Sequence, residues 1–325
     1  MKQFSIIIPI FNVEDYIKKC FANIYSQGID DEYFEIIAVN DGTQDNSMRY
    51  VDEYSKLHNN IIVINKPNGG VSSARNVGIE NASGKYVVFL DPDDYFAPNS
   101  LLAIKDEVKQ QDADFFVLRS HRSRNMSEAY SWLRLFKDKC IISGKEAYKA
   151  GYIRGSVCGC IFNRIFIENY NLSFLENARN CEDTMFFFLC QMYASTVVFL
   201  NREFYVVYER DSSASRSMSD EKILLMFSNL DYVSNYASQN DITDELSLDM
   251  LETLKYLLIS NLTYFAIWYN GKKSLKLLKK NGIVRYLPIN VKLGPISDGI
   301  NKLYVFLINN LFSLYFYLRL LKFKK

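Results

Sequence analysis

The sequence predicts an α/β fold in which a mainly parallel sheet is flanked by helices and is followed by a helical C-terminal region. Two observations lead to this prediction. Over the first 98 residues, short apolar segments of strand composition alternate with segments of helical composition, which is the spacing of βαβ units. Each strand segment is apolar throughout, without polar alternation, as expected of strands that are covered on both faces.

Four strands are predicted in the N-terminal part of the chain, at residues 5–10, 34–39, 61–64 and 86–90. The first helix is expected to begin after Asn12, which the sequence favours as its N-cap, and to extend to about Gln27. The second is expected to begin at Asp45 or Ser47, and the third at Ser73. The polar residues that follow the strands therefore gather at the edge of the sheet where open α/β folds bind their ligands.

The strongest chemical signal at this edge is the acidic segment that follows the fourth strand. Asp91, Asp93 and Asp94 place hard oxygen ligands there. Carboxylates suit Mg²⁺ or Mn²⁺, and such ions usually bind together with substrate phosphates. The structural alternative is an acidic turn that caps the following helix. The segment indicates metal-assisted phosphate chemistry once its neighbours are considered with it.

Two neighbouring segments carry groups that suit a nucleotide. Asp41 follows the second strand, where its carboxylate can accept hydrogen bonds from a base or a ribose. Gly69 and Gly70 allow the backbone to approach a ligand closely, and Arg75 offers a planar donor to a phosphate or to a carboxylate. Each feature has a structural alternative, since Asp41 and Gly42 form a common turn pair and Arg75 can pair with a neighbouring acid. The combination favours a ligand site.

Four segments in this order resemble the successive motifs of the family 2 glycosyltransferases. They are SIIIPIFN at 5–12, VNDGTQDNS at 39–47, NGGVSSARNVG at 68–78 and FLDPDD at 89–94. Residues 180–187 and 208–217 resemble the family's later Glu-Asp and Tyr-x-Arg motifs more thinly. The resemblance implies a GT-A fold, a nucleotide-sugar donor with UDP as the prevalent carrier, a divalent metal ion (Mn²⁺ or Mg²⁺), and inversion at the anomeric carbon of the sugar.

The resemblance also implies roles for individual residues on the donor side. The residues that match the donor-binding motifs are Pro9, Phe11, Asp41, Asn68, Arg75, Asp91 and Asp93. Asp41 is expected to contact the nucleoside, and Phe11 to pack on the uracil ring or to bond it through the backbone. Asp91 and Asp93 match the Asp-x-Asp motif of the metal site, and Asp93 is expected to be the direct ligand.

A second acidic segment, remote in sequence, provides the catalytic base that the resemblance implies. Asp183 matches that base, and direct displacement of a diphosphate by an acceptor hydroxyl gives it a chemical role. The structural alternative is that Glu182 and Asp183 cap the helix that begins at Thr184. Glu182, Arg210 and Arg216 are expected to contact the diphosphate or the acceptor.

The chain departs from the family pattern at two places. Residues 158–160 are Cys-Gly-Cys where relatives often carry Trp-x-Lys, so an aromatic ring of the acceptor pocket and a cation are missing. Phe11 stands where Tyr is commoner, which removes a hydroxyl but keeps the ring. The first departure bears on which acceptor fits and leaves the reaction type unchanged.

The composition is typical of a cytosolic enzyme. The six cysteines include no Cys-x-x-Cys pair, which indicates free thiols in a reducing compartment. The two histidines, neither of them near a cysteine pair, argue against a zinc site and against a Ser-His-Asp or Cys-His mechanism. The N-terminal apolar segment is short and has no small-residue cleavage site, so no signal peptide is expected.

Charge is distributed unevenly along the chain. The formal net charge is +1, but residues 271–325 contain ten Lys, two Arg and one Asp, a net charge of +11. Residues 272–280 predict a basic amphipathic helix, and residues 303–321 are rich in Leu, Phe and Tyr with polar interruptions. These features predict a helix that lies on an anionic membrane surface without spanning it. The alternative is packing against the core or against a second subunit in a homodimer. Nucleic acid is not an expected partner.

The sequence therefore predicts a metal-dependent, inverting glycosyltransferase (a hexosyl- or N-acetylhexosaminyltransferase) of the type that builds bacterial surface polysaccharides. Its expected acceptor is a glycan or a lipid-linked oligosaccharide, and its expected location is cytoplasmic, on the inner face of the membrane. The predicted regions are a nucleotide-sugar-binding half at 1–98, an acceptor-side half at 99–217 and a helical, basic region at 218–325. Two alternatives stay open: a catalytically silent glycan- or membrane-binding module, and a sugar-phosphate nucleotidyltransferase, whose Gly-rich N-terminal loop is absent here.

Overall fold

The structure of the chain is a computed structural model that describes residues 2–122, 136–178, 180–208, 218–296 and 299–323. The chain forms two compact units. The first unit consists of Met1–Gly144, Ser156–Glu176 and Leu189–Asp211, and the second of Lys145–Gly155, Asn177–Phe188 and Ser212–Lys325. Two segments of the predicted acceptor-side half, 145–155 and 177–188, therefore group with the C-terminal helices.

The first unit contains one mixed sheet. Its strands are β1 (Phe4–Ile10), β2 (Phe34–Asn40), β3 (Ile61–Asn65), β4 (Tyr86–Phe89), β5 (Tyr95–Phe96), β6 (Phe115–Arg122), β7 (Cys140–Ile142), β8 (Cys160–Asn163) and β9 (Val197–Val207). Their order is β3-β2-β1-β4-β8-β6-β9-β5, and β7 pairs with β9. The pairs among β1 to β4 are parallel, whereas β8 is antiparallel to both β4 and β6. The four predicted strands are confirmed, and their carboxyl ends meet at one edge.

The described helices of both units are α1 (Glu14–Tyr25), α2 (Ser47–Ser55), α3 (Gly70–Glu80), α4 (Ser100–Gln110), α5 (Gly144–Lys149), α6 (Arg164–Asn169), α7 (Glu182–Tyr193), α8 (Asp220–Gln239), α9 (Glu245–Asn270), α10 (Ser274–Lys280), α11 (Gly299–Asn310) and α12 (Phe312–Phe323). In the first unit, the main core lies between one face of the sheet and buried residues of α1, α2 and α4. Phe4, Ile6, Ile8 and Ile10 of β1 point into this core, because alternate residues of a strand share a face.

Two predictions about the N-terminal elements are wrong in detail. Strand β3 lies at the edge of the sheet and is not covered on both faces, and its Ile62 is 39% exposed. Asn12 is not the N-cap of α1. The N-cap position is Val13, whose side chain makes no capping hydrogen bond. The cap is supplied by the loop after β2, where Asp45 Oδ2 accepts from the Glu14 amide at 2.9 Å. The side chain of Asn12 accepts from that same loop.

The second unit contains the long helices α8 and α9, which confirm the predicted helical C-terminal region. Ser219 caps α8 by accepting from the Lys222 amide at 3.2 Å, and Asp244 caps α9 by accepting from the Ser247 amide at 3.0 Å. The predicted helix at 303–321 is instead two helices, α11 and α12, which are separated at Leu311. No helix within the described residues is both long enough and apolar enough to cross a membrane.

Candidate functional site

The carboxylate of Asp41 anchors the loop that follows β3. Asp41 comes directly after β2 and is 2% exposed. Its Oδ1 accepts hydrogen bonds from Lys66 Nζ at 2.6 Å and from the Gly69 amide at 2.8 Å, and its Oδ2 accepts one from the Gly70 amide at 2.8 Å. The Asn68 side chain donates to the Asp41 carbonyl at 2.9 Å. Asp41 therefore shapes the glycine loop, and its contact with a nucleoside stays a prediction.

The backbone on both sides of this contact requires glycine. Gly42 has a φ of +72° and Gly70 a φ of +84°, in the region that side chains with a Cβ rarely adopt. A Cβ at Gly42 would also lie 3.0 Å from the backbone nitrogen of Asn68. From the sequence, the pair at 41–42 could be either a turn or part of a ligand site. In the structure, this turn packs against the glycine loop, so the two features form one arrangement.

Helix α3 packs tightly on the sheet, and this packing positions Arg75. A Cβ at Gly78 would lie 2.3 Å from Ile7 Cγ2, so only glycine lets the helix approach β1 this closely. Arg75, one turn earlier, is 3% exposed although it carries a permanent charge. Its guanidinium donates to Asp91 Oδ1 at 2.8 Å and lies 5.2 Å from the centroid of the Phe174 ring. Arg75 therefore pairs with an acid, and that acid belongs to the Asp-x-Asp motif.

The acidic segment after β4 forms a turn that is held by strand β9. The Asp94 amide donates to the Asp91 carbonyl at 2.9 Å. The buried hydroxyl of Tyr205 accepts from the Asp91 amide at 3.1 Å and donates to Asp94 Oδ2 at 2.8 Å. The Tyr208 amide donates to Asp94 Oδ1 at 2.8 Å. Asp94 therefore secures the turn, while Asp91 and Asp93 stay partly exposed.

Negative charge accumulates in this turn. Burial, and then the nearby carboxylates of Asp91 and Asp93, raise the pKa of Asp94 to about 8 despite its hydrogen bonds. Burial and the same group of carboxylates also raise the pKa of the Cys20 thiol. Because these carboxylates repel one another when they are ionised, a cation bound beside them would be stabilised.

The carboxylates of the turn are ligands of the kind that a hard divalent ion prefers. One carboxylate oxygen each from Asp91 and Asp94 and the Sγ of Cys158 lie within 4.8 Å of one another. Mg²⁺ and Mn²⁺ prefer carboxylate oxygens to thiols, and both oxygens of Asp94 already accept hydrogen bonds. Asp91, which has one oxygen bonded to Arg75, is therefore the better candidate of the two carboxylates in this group, and Asp93 as a direct ligand stays a prediction.

A cavity of about 300 Å³ lies beside Asp93. Its lining includes Tyr16, Lys19, Asn23 and Tyr208, and the rings of the two tyrosines lie 6.4 Å apart. Aromatic rings, a cation and an amide beside a carboxylate provide the mixture of apolar and polar groups that is typical of small-molecule sites. The cavity therefore adds binding groups to the acidic turn within the first unit.

The remaining donor-side residues lie at the end of β1. Pro9 is buried within the strand, opposite Val39 of β2, and Phe11 is 45% exposed. Because β1, β2 and β4 are parallel, the residues after these strands lie at the same edge of the sheet. The predicted Arg210 and Arg216 lie outside the described residues.

The predicted catalytic base belongs to the second unit. Asp183 lies in the first turn of α7, which begins at Glu182, two residues earlier than predicted. Glu182 Oε2 accepts from the Cys181 amide at 3.1 Å. Asn180 and Cys181 have φ values of +51° and +144°, and Asn261 Nδ2 donates to Cys181 Sγ at 3.3 Å. The helix entry is therefore strained and held by a side-chain contact, as is common at functional sites.

Three residues of this arrangement are not identified by sequence reasoning: Lys66, Phe174 and Tyr205. The Tyr205 hydroxyl accepts a hydrogen bond from the Asp91 amide, although the two residues are 114 positions apart in the sequence. The one signal in the sequence is a phenol within an apolar strand segment, and that is too common to indicate a role. Pairings of this kind become visible only when distant segments are brought together.

Replacing Arg75 with Met is expected to lower the free energy of unfolding by about 1–3 kcal/mol, because it leaves Asp91 without its charged hydrogen-bond donor. Urea unfolding followed by circular dichroism measures this change. The matched control is Arg49→Met, since the side chains of the Arg49–Glu53 pair are 74% and 49% exposed. That change should cost less than about 1 kcal/mol. Equal effects of the two substitutions would contradict a structural role for the Arg75–Asp91 pair.

Comparison with known proteins extends these observations. The family model described as "Glycosyl transferase family 2" matches residues 5–194. The chain is 32% identical over 215 residues to the "uncharacterized glycosyltransferase EpsJ" of Bacillus subtilis, which covers 64% of this chain and 62% of EpsJ. It is 49% identical over 92 residues to the "minor teichoic acid biosynthesis protein GgaB" of the same species, which covers 28% of this chain and 10% of GgaB. The matches thus span less than two thirds of these relatives.

Among solved structures, S. aureus TarS 1–349 in complex with UDP-GlcNAc is similar to this chain with a TM-score of 0.69. The sequence identity is 19%, and the match covers 88% of this chain and 82% of the TarS chain. At this identity the likeness confirms the predicted GT-A fold alone. Each of the four motifs includes residues that follow a strand at the same edge of the parallel half-sheet. The family match extends over more than half of the chain, so this chain belongs to glycosyl transferase family 2.

Proposed function

We propose that this chain is an inverting glycosyltransferase that moves a sugar from a nucleotide-sugar, with UDP as the nucleotide, to a hydroxyl of a bacterial cell-surface glycan or lipid-linked saccharide. The proposal rests chiefly on the Arg75–Asp91 pair. This pair joins the helix after the glycine loop to the acidic turn and holds Asp91 in place at the edge of the sheet. A nucleoside diphosphate needs carboxylates at such a position for its metal ion.

The donor would lie across the carboxyl ends of β1, β2 and β4. The exposed ring of Phe11 is available for stacking on a base. The loop that Asp41 and Lys66 hold follows β3 at the same edge of the sheet. The UDP-GlcNAc bound to TarS and the teichoic acid role in the name of GgaB support UDP as the carrier and a surface polymer as the acceptor.

The acidic turn would hold the divalent ion, Mn²⁺ or Mg²⁺, through Asp93 and Asp91. A bound ion supplies positive charge that stabilises the departing nucleotide diphosphate. Arg75 fixes the position of Asp91, and Tyr205 and Asp94 fix the backbone of the turn, so the Asp91 carboxylate and the backbone that carries Asp93 are preorganised for this task. The role of Asp94 in this proposal is therefore structural.

In the proposed reaction, Asp183 acts as the general base. The acceptor oxygen forms a bond to the anomeric carbon as its proton moves to a carboxylate oxygen of Asp183. The bond between that carbon and the diphosphate breaks on the opposite face, which inverts the configuration. The resemblance of residues 180–187 to the family's Glu-Asp motif supports this role, as does the unusual backbone of Asn180 and Cys181 directly before the helix.

Release of UDP from a panel of nucleotide-sugars tests the proposal, with and without Mn²⁺. We expect release from one class of UDP-sugar, stimulated by the metal and by a glycan or lipid-linked acceptor, and a product whose anomeric configuration is opposite to that of the donor. A catalytically silent binding module would release no UDP with any donor or acceptor. A nucleotidyltransferase would form pyrophosphate from a nucleoside triphosphate and a sugar phosphate, and that outcome would replace the proposal.

A further inference from the structure

Helix α12 exposes an apolar stripe. The exposed large residues recur at intervals of three and four, which places them on one face of the helix. They are Leu314 (46%), Tyr317 (44%), Leu318 (37%) and Leu321 (61%). The preceding residue Leu311 is 49% exposed, and Leu303 and Phe306 of the adjacent α11 are 52% and 55% exposed.

The opposite face of α12 already serves the core of the second unit. Phe312, Tyr315, Phe316 and Leu320 are buried there, and the Tyr315 hydroxyl lies 3.0 Å from Ser260 Oγ of α9. A surface helix of a globular protein normally has a polar outer face. Because the inner stripe is satisfied by α9, the outer stripe is surplus to folding and marks an interaction surface.

A group of lysines adjoins this stripe. Lys272, Lys276, Lys279 and Lys280 line an open groove of about 600 Å³ together with Tyr317 of α12. These side chains come from α10 and the short 3₁₀ turn before it, and none of them is buried. Tyr317 thus belongs both to the apolar stripe and to the basic groove, which makes the two features one surface.

We infer that this surface, consisting of the α12 stripe and the lysine groove, docks onto an anionic membrane leaflet. The leucines would enter the boundary between headgroups and acyl chains, Tyr317 would lie at the headgroup level, and the lysines would contact lipid phosphates. The inference concerns the second unit alone and does not rest on sugar transfer. It specifies which face of the predicted C-terminal region meets the membrane.

Two other partners fit the surface less well. In a twofold dimer the same patch meets itself, so the four lysines would face their own copies without a compensating acid in the groove lining. A soluble polyanion would use the lysines but would leave the leucine stripe in water. The membrane satisfies both parts of the surface at once.

Flotation of the full chain with vesicles tests this inference. We expect binding to vesicles of equal parts phosphatidylglycerol and phosphatidylcholine at low salt, and weak binding to phosphatidylcholine alone or at high salt. Lys276→Gln with Lys279→Gln should reduce the partition coefficient about 30-fold, which corresponds to about 1 kcal/mol for each lysine. Leu318→Ser with Leu321→Ser should reduce it by about tenfold or more.

Matched controls come from exposed residues of the first unit. Lys56→Gln with Lys109→Gln removes two exposed lysines, and Leu57→Ser alters a leucine that is 76% exposed. Neither control should change the partition coefficient, and thermal unfolding should show that every variant is folded. A wild-type chain that stays in the aqueous phase at low salt overturns the inference. An unchanged partition coefficient in the leucine-pair variant would also overturn it, as would a dimer in sedimentation equilibrium that the leucine pair converts to monomer.

Discussion

Replacing Asp93 with Asn is expected to reduce sugar transfer by about 100- to 1,000-fold, the scale on which loss of one preorganised electrostatic group lowers kcat. The substitution keeps the size of the side chain but removes the anionic oxygen that a hard divalent ion prefers. Asp93 is partly exposed and follows the end of a strand, so the fold should persist. Initial rates of UDP release over a range of Mn²⁺ concentrations, together with calorimetric titration of Mn²⁺ in the presence of UDP, measure the effect.

The matched control for this variant is Asp52→Asn, which changes an exposed carboxylate on α2. It should leave both the rate and the titration of Mn²⁺ unchanged. Wild-type rates in the Asp93 variant, or full activity of the wild-type chain in excess EDTA, would rule out the proposed metal role. A variant that loses activity but binds Mn²⁺ and UDP as the wild type does would place Asp93 outside the metal site.

Replacing Asp183 with Asn is expected to lower turnover by roughly 100- to 10,000-fold, the range that general-base catalysis contributes. An amide keeps the shape of the side chain and its ability to hydrogen bond, but it does not accept the proton of the acceptor hydroxyl at neutral pH. The affinity for the nucleotide-sugar should hold, because the residues that match the donor-binding motifs all lie before residue 98. Stopped reactions with saturating donor give turnover, and equilibrium binding of UDP gives affinity.

Asp220→Asn provides the control for the alternative role of Asp183 as a helix cap. Asp220 is also an acid in the first turn of a helix, and it is exposed. Carboxylates at such positions contribute about 0.3–1 kcal/mol to helix stability. If the two variants lose similar stability and turnover per folded molecule stays at the wild-type value in both, then Asp183 is a cap and the base lies elsewhere.

The strands and the donor motifs could be predicted because their signals are local. An apolar, β-branched segment indicates a strand from a few adjacent residues, and four motifs in order indicate a family. The edge strand β3 illustrates the limit of this reasoning. Its apolar sequence resembles that of β1, but its position at the end of the sheet leaves Ile62 exposed, and no local pattern reports strand order.

Helix α1 shows a second limit. Asn12 has the sequence signature of an N-cap, yet its side chain accepts from the Gln44 amide, and Asp45 and Ser47 accept from the backbone amides at the start of α1. Burial opposes ionisation of Asp45, but these and neighbouring hydrogen bonds outweigh it and lower its pKa. The capping group is whichever polar side chain the fold brings to the start of the helix, so sequence spacing alone does not identify it.

By itself, the sequence determined the βαβ order, the family, the motif residues and the uneven charge, because each depends on residue type and short-range spacing. The tertiary structure decided the pairings and the faces. It joined Arg75 to Asp91, set Tyr205 beneath the acidic turn, gave Asp94 a structural role, and divided α12 into a buried and an exposed apolar stripe. The physical reason is that burial and hydrogen bonding depend on segments far apart in the chain. A side chain that is buried or hydrogen-bonded in one contact is no longer available for another, and short-range sequence patterns do not show which contact forms.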